Sequence, residues 1–381
     1  LTGAIIIAGI FESAGAIIAG GDVVNTIKSG IIDPNLITDK NSFIWAMTAG
    51  LLAGAVWLNF ATSIGAPVST THAIVGGVMG AGIASAGFSI LNWGSLFEIA
   101  SSWIISPLLG GIVAAGFLYF IKKQIVYKEN MLEQAQKFVP ILIAIMTWAF
   151  TTYLILKGLK QLINIGFYSA SGISILFAIV AYYLTKNSIE KNLSNLTNDR
   201  SSVNKLFTPA LIFGAALLSF AHGANDVSNA IGPLAAINDA IMHGGTSVQA
   251  SVPFWIMFVG AIGIVIGLVL YGPRLIKTVG SEITELDQMR AFSVAMATAV
   301  TVILASQLGL PVSSTHIAIG GVFGVGFLRE ALDMSEKNYV QDIREKFKKH
   351  KKELEKAQAD LAKLEAIKDK NKSTYIKIVE L

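Results

Sequence analysis

PVSTTHAIVGGVMGAG at residues 67–82 and PVSSTHIAIGGVFGVG at residues 311–326 agree at ten of sixteen positions without a gap, at a constant offset of 244. Apolar sequence matches Val to Ile or Gly to Gly by chance, but it does not reproduce Pro-Val-Ser, Thr and His in order, so the chain reads as a two-fold repeat. Upstream the halves agree more weakly: 3–21 resembles 259–273, and TIKSGII (26–32) resembles TVGSEIT (278–284), now at an offset of 252. The change of offset places an insertion near 33–42, where DPNLITDKN reads as a polar loop with a proline turn.

The repeat lies in a membrane sequence. Of 381 residues, 53% are hydrophobic and 14% charged, well outside soluble composition. Windows 3–20, 43–64, 101–121, 138–157, 167–185, 252–271 and 289–308 reach the ~20 apolar residues a membrane helix needs. A further apolar window, 208–222, is short. Gly50, Gly54, Pro107, Gly110, Gly111, Gly263 and Gly267 fall inside these windows, as small residues do where helices pack closely in lipid.

Basic residues mark 122–137 and 186–207, which two crossings separate, so both loops belong on one side, the cytoplasmic one by the positive-inside rule. Trp45, Trp93, Trp103, Tyr182 and Tyr183 cluster toward window ends and read as an interfacial belt. Past residue 328 the chain turns polar, and Ile343, Phe347, His350, Leu354, Ala357, Leu361 and Leu364 trace a heptad seam on a cytoplasmic helix. The seam could pair with another helix, another subunit or itself.

The expected organisation is a first repeat over 1–121, connecting helices and basic loops over 122–207, a second repeat over 208–328 and a charged helical segment over 329–381. SFAHGANDVSNAIGP (219–233) has a first-half partner only before Leu1, and the helix 102–121 has no partner after PVSSTH. The repeat therefore predicts one further membrane helix beyond each end. Leu1, with no basic region before its apolar run, reads neither as a signal peptide nor as a natural start.

Proline restricts its predecessor to extended backbone and favours the first helical turn, so each PVS motif is expected to end one helix and begin another. Ser69, Thr70, Thr71 and Ser313, Ser314, Thr315 then lie at helix N-termini, which attract anions. At membrane depth a broken backbone is tolerated only where it is buried or lines a cavity, and repeat-related breaks are where transporters bind substrate. His72 and His316 are expected to support these turns rather than to touch the anion.

AHGANDVSNAIGP (221–233) carries Asp226 between Asn225 and Asn229, with His222 ahead of it. Intramembrane carboxylates mark ion or proton paths. Carboxylate and amide oxygens suit Na⁺, while Asp226 or His222 could carry a proton instead; Gly223 and Gly232 would permit a helix break freeing carbonyls for the ion. Glu12, whose repeat counterpart is Ile264, could be a proton carrier, an ion ligand or a structural partner, and Asp22 at its window end is expected to be interfacial.

By GANDVSNAIGP, PVSSTH, PVSTTH and the FES segment around Glu12, the chain resembles the inorganic phosphate transporter (PiT) family over nearly all of 1–328. The resemblance implies an all-α polytopic membrane protein with inverted-topology repeats and two re-entrant helical hairpins, moving phosphate with Na⁺ or H⁺. The family's first GAND-type element is absent from this chain, and Ile264 stands where relatives carry a second glutamate.

The residues agree with that substrate. Hydroxyls both donate and accept, which matches a partly protonated oxyanion, and neither motif contains Lys or Arg, so the anion's charge needs a companion cation. The expectation is a multi-pass cell-membrane symporter of phosphate and Na⁺, with Ser69, Thr70, Thr71, Ser313, Ser314 and Thr315 on phosphate and Asn225, Asp226 and Asn229 on Na⁺. His72, His222, His316 and Glu12 would support them, with the lipid bilayer as solvent and a homo-oligomer, first of all a dimer, as the assembly.

H⁺ coupling and sulfate transport are the alternatives within the fold. An intramembrane hydrolase fits poorly, because a nucleophile needs one oriented base whereas the hydroxyl–His spacing occurs twice. The absence of cysteine excludes thiol catalysis and disulfides, no organic cofactor is implied, and the net charge of +4 lies in loops and a mixed-sign tail rather than in a nucleic-acid patch.

Overall fold

A computed structural model describes residues 2–37, 39–66, 68–158, 165–192, 196–243, 252–282 and 286–379. Pro67, expected to open the first motif, lies outside them, as do the side chains of Ala357, Leu361 and Leu364 in the heptad seam. Leu1–Val325 forms one compact unit and Gly326–Leu381 another. In the second, a helix throughout its described length, the seam residues Ile343, Phe347 and Leu354 are exposed.

The described residues are helical: α1 Thr2–Ala19, α2 Gly21–Ser29, α3 Lys40–Ser63, α4 Thr70–Ala86, α5 Trp93–Ile121, α6 Met131–Gly158, α7 Phe167–Asn192, α8 Arg200–Leu206, α9 Thr208–His243, α10 Phe254–Glu282, α11 Gln288–Gln307 and α12 Ser314–Val379. Eight of them are long and apolar enough to cross a membrane, and every expected window coincides with one or overruns it by no more than two residues. The short window 208–222 is the start of α9, whose apolar span runs to Met242. The loops at either end of the α6–α7 pair do share a side, because Asn198 donates to Glu129 O at 2.6 Å and accepts from the Leu132 N–H at 3.0 Å.

The expected break in α9 is absent. The helix runs unbroken through AHGANDVSNAIGP for 36 residues, about 54 Å at 1.5 Å per residue. Its glycines serve packing instead: a methyl group on Gly223 would lie 2.0 Å from Glu12 O on α1, and one on Gly232 would lie 2.7 Å from the Ile27 side chain on α2. A continuous helix satisfies most of its own backbone in lipid, but Pro233 inside α9 has no N–H, so α9 offers an ion its side chains and the Asn229 carbonyl, which lacks its i+4 donor.

The breaks occur at the repeated motifs and match bond for bond. After α3, Gly65 takes φ 76°, with the Gly65 N–H on Thr62 O at 3.0 Å and the Ala66 N–H on Ala61 O at 2.9 Å. After α11, Gly309 takes φ 68°, with the Gly309 N–H on Ser306 O at 3.1 Å and the Leu310 N–H on Ala305 O at 3.0 Å. Both are Schellman closures, in which glycine alone enters the left-handed region at little cost. The packing repeats as well: Gly77 of α4 meets Gly50 of α3, and Gly321 of α12 meets Val294 of α11, both members of each pair shifted by 244.

Caps separate the water-facing helix starts from the buried ones. Asp39, Asp199 and Asp287 accept the N–H groups of Ser42, Ser202 and Arg290. The buried starts of α4 and α12 are capped by hydroxyls instead, Ser69 accepting from the His72 N–H at 3.2 Å and Ser313 from the His316 N–H at 3.3 Å. A carboxylate cap neutralises the positive end of a helix, whereas a hydroxyl cap leaves it for another anion.

Candidate functional site

The two motifs, 244 residues apart, meet at one polar centre on α9. Thr70 donates to Asp226 Oδ2 at 2.9 Å and Ser314 donates to the same oxygen at 3.4 Å. Asn229 donates to Thr70 Oγ1 at 3.2 Å and to Thr71 Oγ1 at 3.1 Å. The α-helical period places Asn225 and Asn229 on one face and sets Asp226 one turn from His222. His222 Nε2 lies 3.2 Å from Asp226 Oδ2 and its Nδ1 lies 3.2 Å from Glu12 Oε1, so Glu12 has a partner.

The unwound stretch before α12 is held carbonyl by carbonyl. Gly309 O accepts from Thr26 at 2.6 Å, Leu310 O from Asn225 Nδ2 at 3.2 Å, Pro311 O from Trp103 Nε1 at 2.9 Å and Val312 O from Thr71 at 2.9 Å. These four donors come from α2, α9, α5 and α4. In a water-poor interior each freed carbonyl requires such a partner, and distributing the donors over four helices fixes the loop against all of them. Asn225 also donates to Ser306 Oγ at 3.1 Å, at the end of α11.

Most of the residues expected at a site are therefore brought together: Ser69, Thr70, Thr71, Ser313, Ser314, Asn225, Asp226, Asn229, His222 and Glu12. Thr315 stands half-buried in the first turn of α12, outside these bonds. The His72 ring lies 4.9 Å from that of His316 and 3.9 Å from that of Trp103. Trp103 thus belongs to the site rather than to an interfacial belt. It and Thr26 escape a sequence reading because their partners are backbone carbonyls 208 and 283 residues away. Asp22 pairs with Lys157 and remains 45% exposed, as a boundary residue does.

Three side-chain oxygens in this centre are buried without a hydrogen-bond donor among the described residues: Asn225 Oδ1, Asp226 Oδ1 and Asn229 Oδ1. Leaving a buried acceptor unpaired costs about 1–3 kcal/mol, and all three belong to adjoining positions of one helix. Hard oxygens of this kind, one carrying a negative charge, suit a hard cation. The oxygen set fits Na⁺.

Fold and site together define a polytopic membrane protein whose buried polar centre is built from two repeat-related helix starts and a carboxylate-bearing helix. The chain belongs to the phosphate transporter family, whose sequence profile matches residues 1–356. Over 346 residues it is 56% identical to a Helicobacter pylori protein that bears a phosphate-permease name, covering 90% of this chain and 65% of that protein. A Pyrococcus furiosus protein of the same kind of name is 36% identical over 340 residues, 89% of this chain and 82% of the relative. Among solved structures, one titled as the sodium-dependent phosphate transporter superposes with a TM-score of 0.80 at 34% identity, over 85% of this chain and 80% of the other. The chain thus spans just under two thirds of the Helicobacter relative's length.

Proposed function

We propose that this chain forms the core of a secondary active transporter that symports inorganic phosphate with Na⁺ across the cell membrane by alternating access, its two motifs forming re-entrant hairpins of inverted repeats. The observation that carries the reading is the convergence of Thr70 and Ser314, from opposite halves of the sequence, on one oxygen of Asp226. Phosphate would take the hydroxyls of Ser69, Thr70, Thr71, Ser313, Ser314 and Thr315 with the N-terminal N–H groups of α4 and α12. Na⁺ would take Oδ1 of Asn225, Asp226 and Asn229.

The coupling follows from charge. Asp226 occupies donors that an oxyanion would use, and its carboxylate repels one. A cation on its Oδ1 neutralises that repulsion, so cation binding precedes and strengthens phosphate binding. The link is reciprocal: phosphate strengthens the cation by the same factor. No basic side chain lies in either motif to offset the anion's charge by itself.

H⁺ coupling stands as a second reading because of one observation: Glu12, His222 and Asp226 form a titratable chain with both links at 3.2 Å. Labelled phosphate uptake into proteoliposomes under a Na⁺ gradient, at equal pH on both sides, tests the first reading. Concentrative uptake supports it, and uptake driven only by a pH gradient replaces Na⁺ with H⁺. Sulfate and arsenate as competitors test the substrate.

A further inference from the structure

Three apolar spans meet at one cavity. Thr2–Ala19 and Met131–Lys157 finish there and Phe254–Pro273 begins there, and residues from these ends, together with α2, line a volume of about 660 Å³. That lies within the ~300–1,000 Å³ typical of small-molecule sites. Lys157 stands at the end of α6 remote from Met131 and the basic loop 122–137, so the cavity sits at the bilayer boundary on the face opposite the basic loops.

The cavity has a charged wall and an apolar one. Asp22 and Asn25, on one face of α2, and Lys157 of α6 form the first, with Lys157 donating to Asp22 Oδ2. Ile18, Phe254 and Met257 form the second. Ile18 is 40% and Phe254 68% exposed, so the apolar wall continues onto the outer surface of the bundle. The charged wall is held in place beforehand: Thr26 of α2 donates to Gly309 O, and a methyl on Gly309 would lie 3.5 Å from Asp22 O. An ammonium has three N–H donors and a carboxylate about four acceptor positions. The bond between Lys157 and Asp22 takes one of each, which leaves both groups able to bind a second pair of charges.

We propose that this cavity binds the headgroup of an aminophospholipid, phosphatidylethanolamine, with an acyl chain laid along Ile18 and Phe254. The lipid phosphate takes the remaining N–H groups of Lys157 and the Asn25 amide, and the lipid ammonium takes Asp22. Four charges then alternate in sign around a ring, so no charge leaves water without a partner. The same chemistry selects the headgroup. Phosphatidylglycerol brings a phosphate without a cation and sets negative charge against Asp22. Phosphatidylcholine is zwitterionic, but its quaternary ammonium has no N–H for a charge-assisted bond to the carboxylate. Free phosphate lacks both the cation and the chain that the apolar wall fits. The site lies apart from the Asp226 centre and stands whether the coupling ion is Na⁺ or H⁺.

The test is lipid selection by the full chain. It is reconstituted in vesicles of equal parts phosphatidylethanolamine, phosphatidylcholine and phosphatidylglycerol, purified, and its retained lipids are counted by native mass spectrometry. Phosphatidylethanolamine should be retained several-fold over each of the other two. Asp22→Asn, which removes the partner of the lipid ammonium, should abolish that preference. Gly21 also lines the cavity, and a methyl there would meet nothing within 4 Å among the described residues. Gly21→Leu should therefore fill the space with the Asp22–Lys157 pair intact, lowering phosphatidylethanolamine retention several-fold while the melting temperature in pure phosphatidylcholine vesicles stays that of wild type. Equal retention of the three lipids by wild type, a preference that survives both variants, or displacement of the retained lipid by inorganic phosphate would each overturn the proposal.

Discussion

Thr70 and Asp226 are 156 residues apart in sequence and joined by a 2.9 Å hydrogen bond at the start of α4. At the proposed site the bond puts a carboxylate among the donors assigned to phosphate, and it predicts what removing the charge does. Asp226→Asn keeps the shape but removes the repulsion and the one charged ligand of the proposed cation site. Hydrogen bonds to charged groups are worth about 1.5–3 kcal/mol. Phosphate binding by calorimetry should therefore become independent of Na⁺, and Na⁺-driven uptake should fall by at least about tenfold, equivalent to ~1.4 kcal/mol. Retained Na⁺ dependence in the variant would remove Asp226 from the coupling.

Trp103 holds Pro311 O at 2.9 Å and lies against His72 with ring centroids 3.9 Å apart and the rings tilted by 55°. Trp103→Phe preserves an aromatic ring but leaves that carbonyl without its donor, at a cost of about 1–3 kcal/mol. Because the carbonyl belongs to the loop that aims Ser313 and Ser314, the expected outcome is a lower melting temperature in detergent together with weakened phosphate affinity. An interfacial tryptophan would alter neither by this much.

Gly223 and Gly263 separate packing glycines from idle ones. A methyl on Gly223 would lie 2.0 Å from Glu12 O, whereas one on Gly263 would meet nothing within 4 Å among the described residues. Gly223→Ala must push α1 and α9 apart, at the upper end of the roughly 1–3 kcal/mol typical of overpacking, and it displaces Glu12 from His222. Gly263→Ala should be neutral. Thermal unfolding of the two variants side by side checks the contrast.

Much of this architecture was legible because two signals are strong in the chain itself. Apolar windows report membrane helices, and a gapless repeat containing Pro, Ser, Thr and His reports where the helices break. The α9 glycines misled, since Gly223 and Gly232 have the same composition whether they bend a helix or admit a neighbour. Only the approach of Glu12 O and Ile27 decides between the two. Thr26 and Trp103 were illegible for a related reason: a donor to a freed carbonyl needs no motif of its own, only the right place in the packed bundle.

Asp287 joins α8 to α11 outside the membrane-spanning segments, with Arg290 at 3.0 Å and Arg200 at 3.2 Å. Burial alone would raise its carboxyl, but the Arg290 N–H and the two guanidinium groups outweigh burial and hold it below the usual carboxylate value. A carboxyl depressed in the folded state contributes stability that is fully present above its unfolded value, ~3.9, and is lost as pH falls through the folded one. The Asp287 side chain is 15% exposed but that of Arg200 is 54% exposed, so solvent screening on the arginine side keeps the ion-pair contribution to about 1 kcal/mol or less, to which loss of the helix cap adds. Asp287→Asn, whose amide oxygen can still cap α11, should lower stability at neutral pH by roughly that ion-pair amount, measured by denaturant titration in detergent. The difference from wild type should shrink below about pH 4, where the wild-type carboxylate begins to protonate, and raised salt at neutral pH should shrink it too.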